Sequence, residues 1–380
     1  MKEIQTLINL DPSEAPLVSC YLARDHAAAA TLTTAFEARC RDVRSFHTNA
    51  DRPLLDSAFQ KIREYLETEL RTSTRGIAAF SRAGEQPFFL ARQFDVSLPD
   101  HISVNYTPDV YHLVELKDTY DRYVVLITSE SRARILEVNL GEVTREAWTK
   151  QPKLRERVGS AWTHAHYQNH RRDRGQQFLQ EKLALIDKLM SAGGHTHLIL
   201  AGPPNLTAPL RERLAPHHRA KLVDVVELSP EAAGEEVVAA TLSSLITIEQ
   251  EESQNTVNEL MQALWRDGLA VAGARRSLEA MWRDQADVLV LAAEYTSGPA
   301  WVCRDCDWVE ATTRQPEECA QCEAPSPHAA DMKEALVQLA EKKRVEIEIT
   351  RNSDELMRIG GVGCLLRYEL DSHWDFGGEG

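Results

Sequence analysis

Hydrophobic positions along this chain change period several times, and each change predicts an element. Apolar stretches at 16–22 and 76–81 read as buried strands, and 87–94 reads as a third. Between the first two, Leu55, Phe59, Ile62, Leu66 and Leu70 keep helical spacing, which predicts a helix over 51–70. Pro99 and Pro108 punctuate the end of this segment. Two more strands follow at 122–128 and 132–138, joined as a hairpin by Ser129-Glu130-Ser131. Then the period stops. Residues 150–172 are polar and basic, with Pro152 and Gly159, and read as a long loop. Loops of that length inside a compact domain are either unstructured or functional. A helix with Leu179, Leu183, Ile186 and Met190 on one face comes next, then a buried strand at 197–201 and further helices to about 246. The remainder reads as a helix (Val257, Leu260, Leu264), a turn and helix at 268–284, and a buried strand at 287–294. It continues with a helix at 332–342, an alternating strand (Val345, Ile347, Ile349), a short helix at 353–357 and a closing strand at 363–370. The pattern predicts three α/β domains at 1–118, 119–248 and 249–370, the last an α/β/α sandwich, with a polar, frayed tail at 371–380.

Composition narrows the class. The 380 residues are 43% hydrophobic, enough for packed cores. No apolar run nears the roughly 18 residues of a membrane-spanning helix, and no signal peptide opens the chain, so a cytoplasmic protein without a membrane partner is expected. Net charge is −15, which taken alone argues against nucleic-acid binding. The local balance differs. Between 153 and 174 stand six cations (Lys153, Arg155, Arg157, Arg171, Arg172, Arg174) against Glu156 and Asp173, with His164, His166 and His170 added. A basic segment on an acidic body suits docking on RNA through one tip.

Four of the seven cysteines fall within 20 residues as Cys303-x2-Cys306 and Cys319-x2-Cys322. Two CxxC pairs place four thiolates on two tight turns, the donor set of a tetrahedral structural zinc site. The predicted knuckle, 301–325, is inserted between a strand and a helix of the third domain. Four thiolates fill the coordination sphere, which leaves no open catalytic position. Cys20, Cys40 and Cys364 read as reduced core residues. His195-x-His197 and His217-His218 are set aside as metal ligands, the first at the edge of a strand and the second in a polar turn after Pro216. No nucleophile elbow, Walker sequence or paired-carboxylate motif is present, and no catalytic residue is assigned.

The order of parts resembles a bacterial member of the class 1 release factor and Pelota superfamily of archaea and eukaryotes. Residues 268–294 followed by Gly360-Gly361-Val362-Gly363-Cys364-Leu365-Leu366-Arg367-Tyr368 resemble the third domain of those factors, which ends in GGIG-x-x-LRY and can carry an inserted zinc knuckle. The hairpin, long segment and helix resemble their middle domain. The first domain is divergent and matches no codon-reading motif. Where the release-factor motif reads G-G-Q-S-x-x-R-F, this chain has Ser160-Ala161-Trp162-Thr163-His164-Ala165-His166-Tyr167. Ser160 and Ala161 lack the backbone freedom of glycine, and Trp162 offers one donor and no acceptor where the family's Gln positions water.

The resemblance therefore implies a factor that enters the ribosomal A site without hydrolysing peptidyl-tRNA. Trp162, His164, His166, Tyr167, His170, Arg171, Arg172 and Arg174 would contact ribosomal RNA. The first domain would face the decoding centre, and the third would meet a translational GTPase, elongation factor Tu in bacteria. The protein would be a monomer off the ribosome. A silent member suits ribosome hibernation or stress protection, as in the Balon-type bacterial factors, or Pelota-like rescue. Two other readings stay open at this point. One is a peptidyl-tRNA hydrolase using His164, His166 or Gln168. The other is a stress-linked RNA-binding adaptor that never enters the ribosome.

Overall fold

In the computed structural model, which describes residues 2–368 except 12, 14, 25–31, 46–50, 151–163, 192, 193, 267, 297 and 326, the first segment builds one antiparallel sheet. After helix α1 (Lys2–Ile8), strand β1 (Leu17–Ala23) takes the centre. It pairs with β2 (Gly76–Arg82) on one side and β4 (His101–Asn105) on the other, and β3 (Phe88–Phe94) forms the far edge. Helices α2 (Leu32–Ser45) and α3 (Arg52–Thr68) cover one face. Their Phe36, Cys40, Leu55, Phe59, Ile62 and Leu66 meet Val18, Cys20, Leu22, Ile77 and Ala79, alternate residues of β1 and β2. A strand presents every second side chain to one face and a helix every third or fourth, so the two periods interlock there. Helix α4 (Tyr111–Thr119) closes the segment.

The middle unit, Tyr120–Glu249, carries a five-stranded mixed sheet in the order β7-β6-β5-β8-β9. Strands β5 (Tyr123–Thr128), β6 (Arg132–Asn139) and β7 (Glu142–Lys150) form an antiparallel meander, and β8 (His197–Ala201) and β9 (Leu222–Val226) continue parallel to β5. Val124, Leu126, Leu198 and Leu200 meet Phe178, Ile186 and Met190 of α5 (His164–Met190) and Leu210 of α6 (Pro204–Arg213). The short α7 (Pro216–Ala220) precedes β9. On the other face Tyr123, Val125, Ile127 and Ile199 meet Val237 and Leu245 of α8 (Gly234–Trp265). Burial on both faces is why β5 and β8 read as unbroken apolar runs.

The last segment has the sheet order β10-β16-β11-β15. Strand β10 (Ala270–Ala272) leads to α9 (Ala274–Trp282) and β11 (Ala286–Ala292). A three-stranded flap, β12 (Pro299–Val302), β13 (Val309–Glu310) and β14 (His328–Asp331), interrupts the chain before α10 (Met332–Lys343). Strand β15 (Glu346–Thr350) then runs parallel to β11, and α11 (Asp354–Arg358) leads into β16 (Val362–Leu366), antiparallel to β11. Two glycines of the closing motif act as turn residues, and the third lets neighbouring strands approach. Gly360 and Gly361 have φ of 100° and 74°, and a Cβ on Gly363 would lie 2.7 Å from the Val271 carbonyl oxygen.

The described residues before 120 and after 249 form one compact unit. Its seam is polar and buried. Glu334, in the first turn of α10, accepts the backbone N–H groups of Val110 (2.8 Å) and Tyr111 (2.9 Å), capping α4. Gln338 donates to Glu334 (2.8 Å) and to the Pro108 carbonyl (2.6 Å). Burial pushes the Glu334 carboxyl well up. Burial also opposes a charge on Asp109, but hydrogen bonds from His101 and Glu334 overcome it and hold that carboxyl at about 2.

The fold is mixed α/β, as the sequence predicts. The loop expected over 150–172 is corrected in part: β7 runs to Lys150 and α5 begins at His164, while residues 151–163 lie outside the described ones. The first turns of α5 hold no apolar stripe, so periodicity misses them, yet helix propagates cheaply from its packed C-terminal turns. The helix expected near 257–264 is the end of the 32-residue α8. Among the described residues no helix is long and apolar enough to cross a membrane.

Candidate metal centre

The four cysteines converge. Their Sγ atoms all lie within 4.8 Å of one another, with Cys303–Cys322 and Cys306–Cys319 each at 3.6 Å. A disulfide would bring two sulfurs to about 2.05 Å. A tetrahedron with zinc–sulfur bonds of about 2.3 Å has edges of about 3.8 Å, and the observed spacing is of that kind.

Two matching turns produce it. The N–H of Asp307 donates to the Cys303 carbonyl (3.1 Å), and that of Cys303 donates to the Trp308 carbonyl (2.9 Å). In the second turn the N–H of Glu323 donates to the Cys319 carbonyl (2.9 Å), and that of Cys319 to the Ala324 carbonyl (2.8 Å). Asp307 and Glu323, each following the second cysteine of its pair, both adopt φ of 60°. The left-handed residue turns the chain back so that both thiols of a pair face the same point. Backbone amides also address the sulfurs, as Gln321 N–H does Cys319 (3.4 Å). Burial pushes the thiols of Cys303 and Cys306 up, and a bound cation would reverse that and hold thiolates. The donor set and spacing can hold a metal such as zinc, and four thiolates would close its shell, a structural role.

The flap is fastened to the rest of its unit. Trp308 packs edge-on against Trp282 of α9, with ring centroids 5.3 Å apart. Lys342 of α10 pairs with Asp307 at 2.7 Å, and the Arg304 guanidinium lies 4.2 Å over the Tyr106 ring. These partners come from residues 106, 282 and 342, and no local signal in the sequence marks them.

The basic segment is placed differently. His164, His166, Tyr167, His170, Arg171, Arg172 and Arg174 lie in the first turns of α5, and Trp162 falls outside the described residues, as do Ser160 and Ala161. The two histidine pairs are placed differently. His195 is buried against Glu137 (3.0 Å), and His197 faces Glu249 (3.5 Å). His217 and His218 meet a third donor, Asp187, which is 31 positions from His218 in sequence.

Residues 108–244 match the family model described as Bacterial archaeo-eukaryotic release factor family 10. Among solved structures, ribosome-bound archaeal Pelota with ABCE1 is similar at 12% identity and a TM-score of 0.43, over 97% of this chain and 94% of that one. Dom34 of S. cerevisiae, a translation termination-like factor of RNA quality control that interacts with Hbs1, is similar at 10% identity and a TM-score of 0.41, over 78% and 81%. The archaeal translation termination factor aRF1 is similar at 14% identity and a TM-score of 0.28, over 97% and 96%. No curated protein matches the chain. The family match falls on α4, the meander, the basic segment and the parallel strands, and over those residues the chain is similar to that family.

Proposed function

We propose that this protein is a translation factor of the release factor and Pelota type that binds the ribosomal A site and releases no peptide. The observation that carries the reading is the family match over 108–244, in a chain that has Ser160-Ala161-Trp162 where the release-factor motif has Gly-Gly-Gln. Peptide release needs a backbone that can reach the ester and a side chain that orients water with both a donor and an acceptor. Serine and alanine restrict the first, and the indole supplies only a donor. The surplus of cations between 153 and 174 suits phosphate contacts, and Trp162, Tyr167 and the histidines suit stacking on unpaired bases. In this reading the first segment faces the decoding centre and the third meets a translational GTPase of the elongation factor Tu kind. The four cysteines hold structural zinc, the protein is cytoplasmic and monomeric off the ribosome, and it acts in hibernation or stress protection.

Two assays on one preparation test this. The factor should co-sediment with 70S ribosomes, and that binding should weaken steeply with salt despite the net charge of −15. At saturating factor, labelled peptide should leave stalled complexes no faster than in a control without factor. A release rate well above control, abolished by His164→Ala or Gln168→Ala, would replace this reading with a hydrolase. Failure to co-sediment at low salt would replace it with an adaptor that works off the ribosome.

A further inference from the structure

In the middle unit, Asp187 sits in the last turn of α5, and His217 and His218 sit on α7. One donor atom from each lies within 4.8 Å of the other two. His218 is buried and fixed, its Nε2 3.0 Å from Asp187 Oδ1. Donors sharing one ion at about 2.0–2.2 Å stand about 3 Å apart, so this pair is already at coordination distance. The His217 ring lies alongside, its centroid 4.0 Å from that of His218. His217 and Asp187 are exposed, so both can rotate to close the remaining distances, and water can reach the other coordination positions.

A simple ion pair between Asp187 and His218 would not need the second imidazole, and His217 makes no hydrogen bond among the described residues. The donor types decide which ion fits. Two imidazoles and one carboxylate suit zinc, copper, nickel or cobalt, and suit magnesium and calcium poorly, since those prefer oxygen alone. One feature limits the affinity. A cation on Nε2 sends the ring proton of His218 to Nδ1, which is buried with no partner among the described residues. The site should therefore bind more weakly than the four thiolates.

We propose that Asp187, His217 and His218 form a second metal site, which takes a divalent transition metal of the zinc class with water completing its shell and staples α7 to the last turn of α5.

Cobalt distinguishes the two centres in the full-length chain. Thiolate ligation gives intense sulfur-to-cobalt charge-transfer bands, whereas nitrogen and oxygen donors give only weak visible bands. Titration with Co2+ should fill two sites per chain, the thiolate site first. His217→Ala and Asp187→Asn should each lose the second equivalent, keep the first and retain the parent's circular dichroism. The second equivalent should raise the thermal midpoint of the parent and not that of His217→Ala. The proposal is overturned if the parent saturates at one thiolate-bound ion, or if both variants take the second equivalent as readily as the parent. An absent charge-transfer band beside intact weak bands would count against the thiolate centre alone.

Discussion

The knuckle and the basic segment are both candidate sites, and they are built by opposite means. In the knuckle, two repeated turns fix four donors to a common point, and Trp308, Asp307 and Arg304 tie them to the surrounding unit. In the basic segment the distinguishing quantity is charge, six cations against two acids between 153 and 174 on a chain of net −15. A site defined by geometry fails when one donor is lost. A site defined by charge weakens in steps, because each cation adds its own phosphate contact.

Three sets of substitutions test that difference, from the largest effect down. Cys303→Ser should abolish metal retention at the knuckle altogether, since a three-thiolate site holds zinc far less well. Metal analysis of protein purified without added zinc checks it, and circular dichroism should show the middle unit still folded. A metal content equal to the parent's would show that the four cysteines do not act as one centre.

Glu334→Ala is the next largest. It is a geometric site of another kind, and truncation leaves two buried backbone N–H groups without their acceptor and takes one of the two acceptors of Gln338. The expected loss is about 3 kcal/mol, read from denaturant unfolding. The neighbouring Asp109 adds an acid dependence. Its folded value of about 2 lies below the ordinary ~3.9, so its contribution is present above about pH 4 and is lost as pH falls toward 2. Asp109→Asn should flatten stability across that window. Glu334 has the opposite sign, because its raised carboxyl is comfortable as an acid and opposes folding as pH climbs above ~4.3. Glu334→Gln should therefore cost much less than Glu334→Ala.

The smallest effect is graded. Neutralising Arg171, Arg172 and Arg174 together should lower ribosome affinity and reduce the slope of log affinity against log salt by about 2. Neutralising one alone should give about a third of that. Salt-dependent co-sedimentation measures both. An unchanged slope in the triple variant would remove this segment as the RNA contact.

What was legible in the sequence follows the same division. Strands β1, β2, β5, β8, β11 and β16 are readable because burial leaves an apolar run, and α3 because Leu55, Phe59, Ile62 and Leu66 keep one period. Strands β4, β7 and β9 escape notice because each is an edge strand with few buried side chains, and partner strands stabilise it more than its own residues do. The knuckle's donors are legible from spacing alone. Its fastening is not, because Tyr106 stands nearly 200 positions before Arg304. The His217-His218 pair reads as a polar turn for the same reason: its third donor, Asp187, arrives only when α5 and α7 meet.

The cap that Glu334 provides has a consequence for synthesis. Val110 and Tyr111 leave the ribosome early, and the carboxyl that accepts their N–H groups is made 224 and 223 residues later. At about 5–20 residues per second that interval is roughly ten to forty-five seconds. Throughout it α4 has an uncapped N-terminus and lacks the α10 surface it will cover. The middle unit can close well before then, because its residues run only from Tyr120 to Glu249. A chain stopped between Glu249 and α10 would therefore hold one finished unit and one open one, and the open one is where a protease or chaperone would first tell a fragment from a whole protein.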